Sequence, residues 1–145
     1  MESEFLDDDL FLLDLEISNK QELFELVAKH AKKLNLIEDE EGLIQDLFEK
    51  EKYTATYLGN ECSIPHVRSS KINKNTILFF RLSNGIEWSD KDTAKYIFVI
   101  LAKKEDRNLH IDQLKSVSKK ILDKKKFEIF KNSQDKKEIL SILKS

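Results

Sequence analysis

Hydrophobic positions change their spacing several times along the chain, and each change marks an element. Leu10-Phe11-Leu12-Leu13-Asp14-Leu15-Glu16-Ile17 is a short apolar run ending in partial alternation, the pattern of a strand. Ser18-Asn19 offers an N-cap, after which Leu23, Leu26, Val27, His30, Ala31 and Leu34 fall on one helical face. A second helix is expected from about Glu40 to Lys52, with Leu43, Ile44, Leu47 and Phe48 as its stripe. From Tyr53 to Ser70 the pattern is mixed and holds Gly59, Asn60 and Pro65; it reads as a loop with a short strand near Cys62 to Ile64.

Thr76-Ile77-Leu78-Phe79-Phe80-Arg81-Leu82 has strand composition, and Ser83-Asn84-Gly85 behind it predicts a turn that would contain or adjoin Trp88. Tyr96-Ile97-Phe98-Val99-Ile100-Leu101-Ala102 is apolar throughout, as expected of a central strand covered on both faces. The remainder is helical: a stripe of Ile111, Leu114, Val117, Ser118, Ile121 and Leu122, a shorter helix around Phe127, Ile129 and Phe130, and a last one capped by Asp135. The predicted order is β-α-α-β-β-β-α-α-α. An apolar sheet with helices available before and after it predicts an α+β chain, three layers deep, with a small mixed sheet between helices.

Composition narrows the picture. At 145 residues, 40% hydrophobic and 36% charged, the chain fits a single domain, 1–145, with a core and a heavily charged surface. Cys62 is the one cysteine, which excludes an internal disulfide and any cysteine-rich zinc site. No apolar run approaches the roughly 18 to 20 residues of a membrane span, and the acidic stretch Met1 to Asp9 has the wrong sign for a signal peptide. A cytoplasmic location is the expectation. The net charge of -2 hides an asymmetry: residues 1–51 hold 16 acids against 5 bases, and residues 52–145 hold 11 acids against 20 bases. The lysines clustered from Lys119 to Lys137 read as a solvated helix face, since no aromatic interleaving or nucleic-acid motif accompanies them. No nucleic-acid partner is expected.

Candidate chemistry concentrates in Thr56 to Arg68. His66 follows a short strand, with Pro65 fixing the backbone before it. A neutral imidazole, with an ordinary pKa of about 6.5, is a good nucleophile at pH 7. Attack on a phosphoryl group would make a phosphohistidine, and nearby cations would stabilise the charge that develops on its oxygens. Lys50 and Arg68 are the cations near enough in sequence. On residues alone, a loop histidine without a role is the favoured reading. His30 reads as a boundary residue of the first helix, Cys62 as a small strand residue and Trp88 as packing. His30, His66 and His110 lack the spacing of a zinc site.

The segment resembles the signature of phosphotransferase-system enzyme IIA domains of the fructose/mannitol type, which includes nitrogen-regulatory homologues. Lys50-Glu51, then Thr54 or Thr56, Gly59, and Ile64-Pro65-His66 carry the resemblance. It extends through Leu12-Leu13-Asp14-Leu15, Gly85-Ile86-Glu87-Trp88, Ile97-Phe98-Val99-Ile100 and His110 at the start of a helix. The resemblance implies that His66 takes a phosphoryl group from the phosphocarrier protein HPr, usually on Nε2, and passes it to an enzyme IIB domain. It implies that His110 lies beside His66, and that Thr56 stands by the site as a donor to the phosphoryl oxygens. It implies no metal or organic cofactor, and contact with a membrane only through an enzyme IIC permease. A nitrogen-regulatory homologue, binding other proteins according to its phosphorylation state, is the alternative. Two departures stand out. Lys50 replaces an arginine and loses its bidentate fork. Glu61, in Asn60-Glu61-Cys62-Ser63, puts an acid near a site that must accept a dianion unless strand alternation turns it away.

Overall fold

The computed structural model describes residues 7–145; residues 1–6 of the acidic N-terminal stretch lie outside the described residues. A 3₁₀ turn, Asp7–Leu10, leads into β1 (Phe11–Leu15), followed by helices α1 (Lys20–Lys33) and α2 (Glu40–Tyr53). Strands β2 (Tyr57–Gly59), β3 (Cys62–Ser63), β4 (His66–Ser69), β5 (Thr76–Ser89) and β6 (Asp92–Lys103) come next. Helices α3 (Arg107–Leu122), α4 (Lys124–Asn132) and α5 (Lys136–Lys144) complete the chain.

The six strands form one mixed sheet in the order β1-β5-β6-β3-β2, with β4 also paired to β6. Both faces of its centre are apolar, and the period-two alternation sorts the side chains between two cores. Leu78, Phe80 and Leu82 of β5, with Ile97, Val99 and Leu101 of β6, pack toward α1 and α2. Phe79 of β5, with Tyr96, Phe98 and Ile100 of β6, packs toward α3, α4 and α5. Phe98 sits at the centre of the second core, 4.7 Å from Phe79 and 4.9 Å from Phe130 between ring centroids. This is the three-layer α/β/α arrangement that the continuous apolar strands predict.

The helix starts have local causes. Asn19 accepts the Glu22 amide at 2.8 Å and Asp39 accepts the Gly42 amide at 2.9 Å, so each caps a helix N-terminus. A Cβ at position 42 would come within 2.6 Å of the Asp39 carboxylate, so glycine there lets the cap close.

Two expectations need correction. The chain does not turn at Ser83-Asn84-Gly85. β5 runs through it, because pairing to β6 resumes at Ile86↔Ala94 after an irregularity and continues to Ser89↔Asp92. The reversal lies at Asp90-Lys91, where Asp90 has φ +36°. Trp88 is therefore a strand residue; it is buried, its ring 5.8 Å from that of Phe24. The stretch Tyr53 to Ser70 is not mainly loop: β2, β3 and β4 all lie in it. His66 follows the short strand β3 as expected, across Ile64 and Pro65, and itself opens β4, where it pairs with Ile100 of β6.

Candidate functional site

Cys62-Ser63 and His66–Ser69 lie end to end along β6, pairing from Cys62↔Tyr96 through Ser69↔Lys103. Ile64 and Pro65 form the joint between them. Proline has no N–H to give, but its carbonyl accepts the Ile100 amide at 3.0 Å, and the Ile64 amide donates to the Thr56 carbonyl at 2.8 Å. The backbone entering His66 is thus held from both sides.

The His66 ring is oriented by the same joint. Nδ1 lies 2.7 Å from the Ile64 carbonyl oxygen. A carbonyl only accepts, so Nδ1 carries the proton in this pair and Nε2 is left with a free lone pair. Burial holds the imidazole below its ordinary pKa; the Ile64 hydrogen bond opposes this, and the charge of Lys50 adds to it. At neutral pH His66 is therefore an uncharged base with Nε2 as its nucleophilic atom.

His110, in the first turn of α3, places its ring 5.4 Å from that of His66. Its backbone is anchored by Asp106, whose carbonyl accepts the His110 amide at 3.0 Å. Asp106 is itself tied to Asn75 at 2.7 Å, and Asn75 accepts the Lys103 amide at the end of β6. The pKa of His110 is lowered to about 4, first by burial and then by His66, Arg68 and Lys50. Its Nδ1 is buried and has no hydrogen-bond partner. Such a group costs about 1–3 kcal/mol when left unmade.

The two histidines face a cleft of about 580 Å³. Lys50, from the last turn of α2, and Arg68, from β4, both line it. Arg68 donates one guanidinium N–H to the Lys104 carbonyl. Lys71 and Lys104 add two cations that the sequence did not single out, and Asp46 and Glu49 supply acids on the α2 side. Lys104 escaped notice because it is brought in by the exit of β6, 38 residues from His66 in sequence. Tyr53, 80% exposed, stands at the cleft, and Leu109, 44% exposed, precedes His110.

Thr56 is placed differently. It is buried, it does not line this cleft, and its hydroxyl donates to the Glu51 carboxylate. Glu61 is turned away: its carboxylate lies beside Gly85 of β5, and it is exposed at the β2–β3 turn, where Asn60 and Glu61 have φ of +54° and +64°. Burial and the nearby Glu61 push the Cys62 thiol up to about 12, so it is an inert core group. His30, 2.6 Å from the Asp9 carbonyl through Nε2, does not line the cleft. No group of three or more metal-binding side chains occurs among the described residues. No helix among them is long and apolar enough to cross a membrane.

Comparison with known proteins agrees with this fold. The profile of the family described as "Phosphoenolpyruvate-dependent sugar phosphotransferase system, EIIA 2" matches residues 4–145. The chain is 25% identical over 136 residues to the mannitol-specific phosphotransferase enzyme IIA component of Bacillus subtilis, covering 90% of each. It is 26% identical to the mannitol-specific EIICBA component of Vibrio cholerae, covering 90% of this chain but spanning only 20% of that protein. Among solved structures, nitrogen regulatory protein IIA-Ntr from Neisseria meningitidis aligns with a TM-score of 0.86 at 23% identity, over 94% of each chain. Enzyme IIA of the mannitol system from Escherichia coli, solved in complex with phosphorylated enzyme IIB, aligns with a TM-score of 0.80 at 21% identity over 97% of each chain. These likenesses share the fold seen here.

Proposed function

The chain belongs to the EIIA 2 family of the phosphoenolpyruvate-dependent sugar phosphotransferase system, and on that premise we propose that it is a phosphocarrier that accepts a phosphoryl group on His66 from HPr and passes it to an enzyme IIB domain. The observation that carries the reading is the state of His66: neutral through burial, with Nδ1–H committed to the Ile64 carbonyl and Nε2 open.

The Nε2 lone pair attacks phosphorus as the bond to the donor breaks, and that bonding pair returns to the donor. No proton has to leave His66, because Nε2 carries none. As the new N–P bond forms, positive charge spreads over the ring, and the Ile64 carbonyl stabilises it through Nδ1–H. The phosphoryl oxygens meet Lys50 and Arg68, and His110 supplies an N–H to them. Fixed donors and cations of this kind contribute most of the stabilisation in phosphoryl transfer. Thr56 acts behind the site rather than on the oxygens, since its hydroxyl proton is given to Glu51. No metal or organic cofactor enters this scheme. Tyr53 and Leu109 provide an apolar rim for transient docking of the two partners in turn. The complex of the mannitol enzyme IIA with phosphorylated enzyme IIB supports the second partner.

A second reading keeps the acceptor chemistry and changes the output. On this reading the chain, which shares its fold with a nitrogen regulatory protein, is a regulator that binds other proteins according to phosphorylation at His66. An adjacent gene for an enzyme IIB or IIC component favours transport, and a regulator-linked gene favours signalling.

The test is incubation with enzyme I, HPr and labelled phosphoenolpyruvate, comparing the parent with His66→Ala. Label on the parent and none on the variant is expected. An unlabelled parent overturns the phosphocarrier reading.

A further inference from the structure

Behind the cleft lies a carboxylate that the transfer chemistry does not use. Glu51, in the last turn of α2, is partly buried and has both oxygens occupied. The indole N–H of Trp88 donates to Oε1 at 3.1 Å, and the Thr56 hydroxyl donates to Oε2. These donors come from separate parts of the fold, the far end of β5 and the segment that follows α2. Burial pushes the Glu51 carboxyl above its ordinary range, against the pull of Thr56, Lys20 and Trp88. A carboxylate held at that cost calls for a role that an apolar side chain would not fill.

The hydrogen bonds continue from Thr56 to the acceptor. The Thr56 carbonyl takes the Ile64 amide at 2.8 Å, and the Ile64 carbonyl faces Nδ1 of His66 at 2.7 Å. Pro65 cannot donate, so the joint before His66 has two backbone anchors: the Pro65 carbonyl on β6 and the Ile64 amide on Thr56. The first is part of the sheet. The second is only as fixed as Thr56, and Thr56 is fixed by Glu51.

We infer that Glu51, gripped by Trp88, is a positioning residue for His66: through Thr56 and Ile64 it holds the ring in the Nδ1–H tautomer that keeps Nε2 free to attack phosphorus. The inference rests on His66 being the phosphoryl acceptor. A ring released from the Ile64 carbonyl divides its proton between the two nitrogens, and the Nε2–H form cannot attack through Nε2.

The chemistry of the pair separates the informative variants from the conservative ones. Glu51→Met removes both acceptors at similar size, and Thr56→Val removes the hydroxyl. Glu51→Gln can accept from Trp88 with its oxygen and donate to Thr56 with its amide. Thr56→Ser keeps the hydroxyl. The experiment reads the ring nitrogens of His66 by ¹⁵N NMR, with the single-turnover rate of phosphoryl acceptance from HPr measured on the same proteins. In the parent, Nδ1 is expected to be the protonated nitrogen. In Glu51→Met and Thr56→Val the two nitrogens shift toward a mixed-tautomer average, and acceptance slows by about ten- to a hundredfold, the scale of misplacing a reacting group. Glu51→Gln and Thr56→Ser return the spectrum toward that of the parent. If Glu51→Met does not fold, Trp88→Phe, which removes the indole N–H, is expected to shift the spectrum in the same direction. Unchanged His66 nitrogens in the disrupting variants overturn the role of Glu51, as does a shifted spectrum with an unchanged rate. The spectra need no phosphoryl donor, so an unlabelled parent overturns the phosphocarrier reading separately.

Discussion

His66 and His110 are the same residue type 5.4 Å apart, yet their surroundings leave their rings in different hydrogen-bonding states. His66 has a carbonyl for Nδ1, which frees Nε2. His110 has no partner for its buried Nδ1, which suits a group awaiting a phosphoryl oxygen. His110→Ala should therefore remain labelled on His66 but accept the phosphoryl group about tenfold or more slowly, the lower range for loss of one fixed donor. Equal single-turnover rates for variant and parent would remove His110 from the site. The same burial predicts a stability effect. The His110 pKa falls from 6.5 to about 4 on folding. Between those values the unfolded chain binds a proton that the folded chain does not. Stability from this group is complete above about pH 6.5 and declines as pH falls toward 4. Urea titrations at pH 7 and pH 5 should show a loss in the parent that shrinks in His110→Leu. An equal loss in both would mean that His110 is not held neutral by the fold.

At the level of elements, the long periodic segments were legible in the sequence and the short paired ones were not. α2 begins at Glu40 as its stripe predicts, and β6 is the doubly covered strand its apolar run implies. β2, β3 and β4 are two to four residues long and mostly held by pairing with β6 or with each other. So little local pattern accompanies them that only the tertiary partner defines them. Ser83-Asn84-Gly85 misled for a related reason. Turn residues mark a departure from regular pairing, and here that departure is an irregularity within β5 rather than its end. That difference carries Trp88 onto the strand and up to Glu51, a contact invisible in the linear signature. In the candidate site, His66, His110 and Lys50 were legible because the motif marks them, and Arg68 because it lies two residues from His66. Lys104 was not, because only the exit of β6 brings it there, and Lys71, though close in sequence, carries no motif signal. The second core should tolerate little. Phe98 is fully buried among Phe79 and Phe130, and Phe98→Ala should cost about 3–5 kcal/mol in urea unfolding. A cost under about 1 kcal/mol would show that this face is not packed as described.

Across the whole molecule, the charge asymmetry of the sequence becomes a difference between layers. Residues 20–53, which include α1 and α2, carry nine acids and six bases. Residues 107–144, which include α3, α4 and α5, carry five acids and eleven bases. The sheet separates these layers, and the cleft opens where both reach it, through Lys50 of α2 and His110 of α3. With Lys50, Arg68, Lys71 and Lys104 against Asp46 and Glu49, the cleft favours an arriving anion. Acceptance from HPr should slow as ionic strength rises from about 0.01 to 0.15 M, over which the screening length shrinks from about 30 to 8 Å. Arg68→Gln should flatten that dependence. An identical salt slope in the variant would mean that the cleft cations do not steer the donor.

The most direct test of the account is the position of the phosphoryl group itself. The protein, uniformly labelled with ¹⁵N in its histidines and phosphorylated through enzyme I and HPr, can be read for coupling between phosphorus and each ring nitrogen. The account predicts phosphorus on Nε2 of His66, with Nδ1 still protonated. Phosphorus on Nδ1 of His66, on His110 or on neither histidine would contradict it.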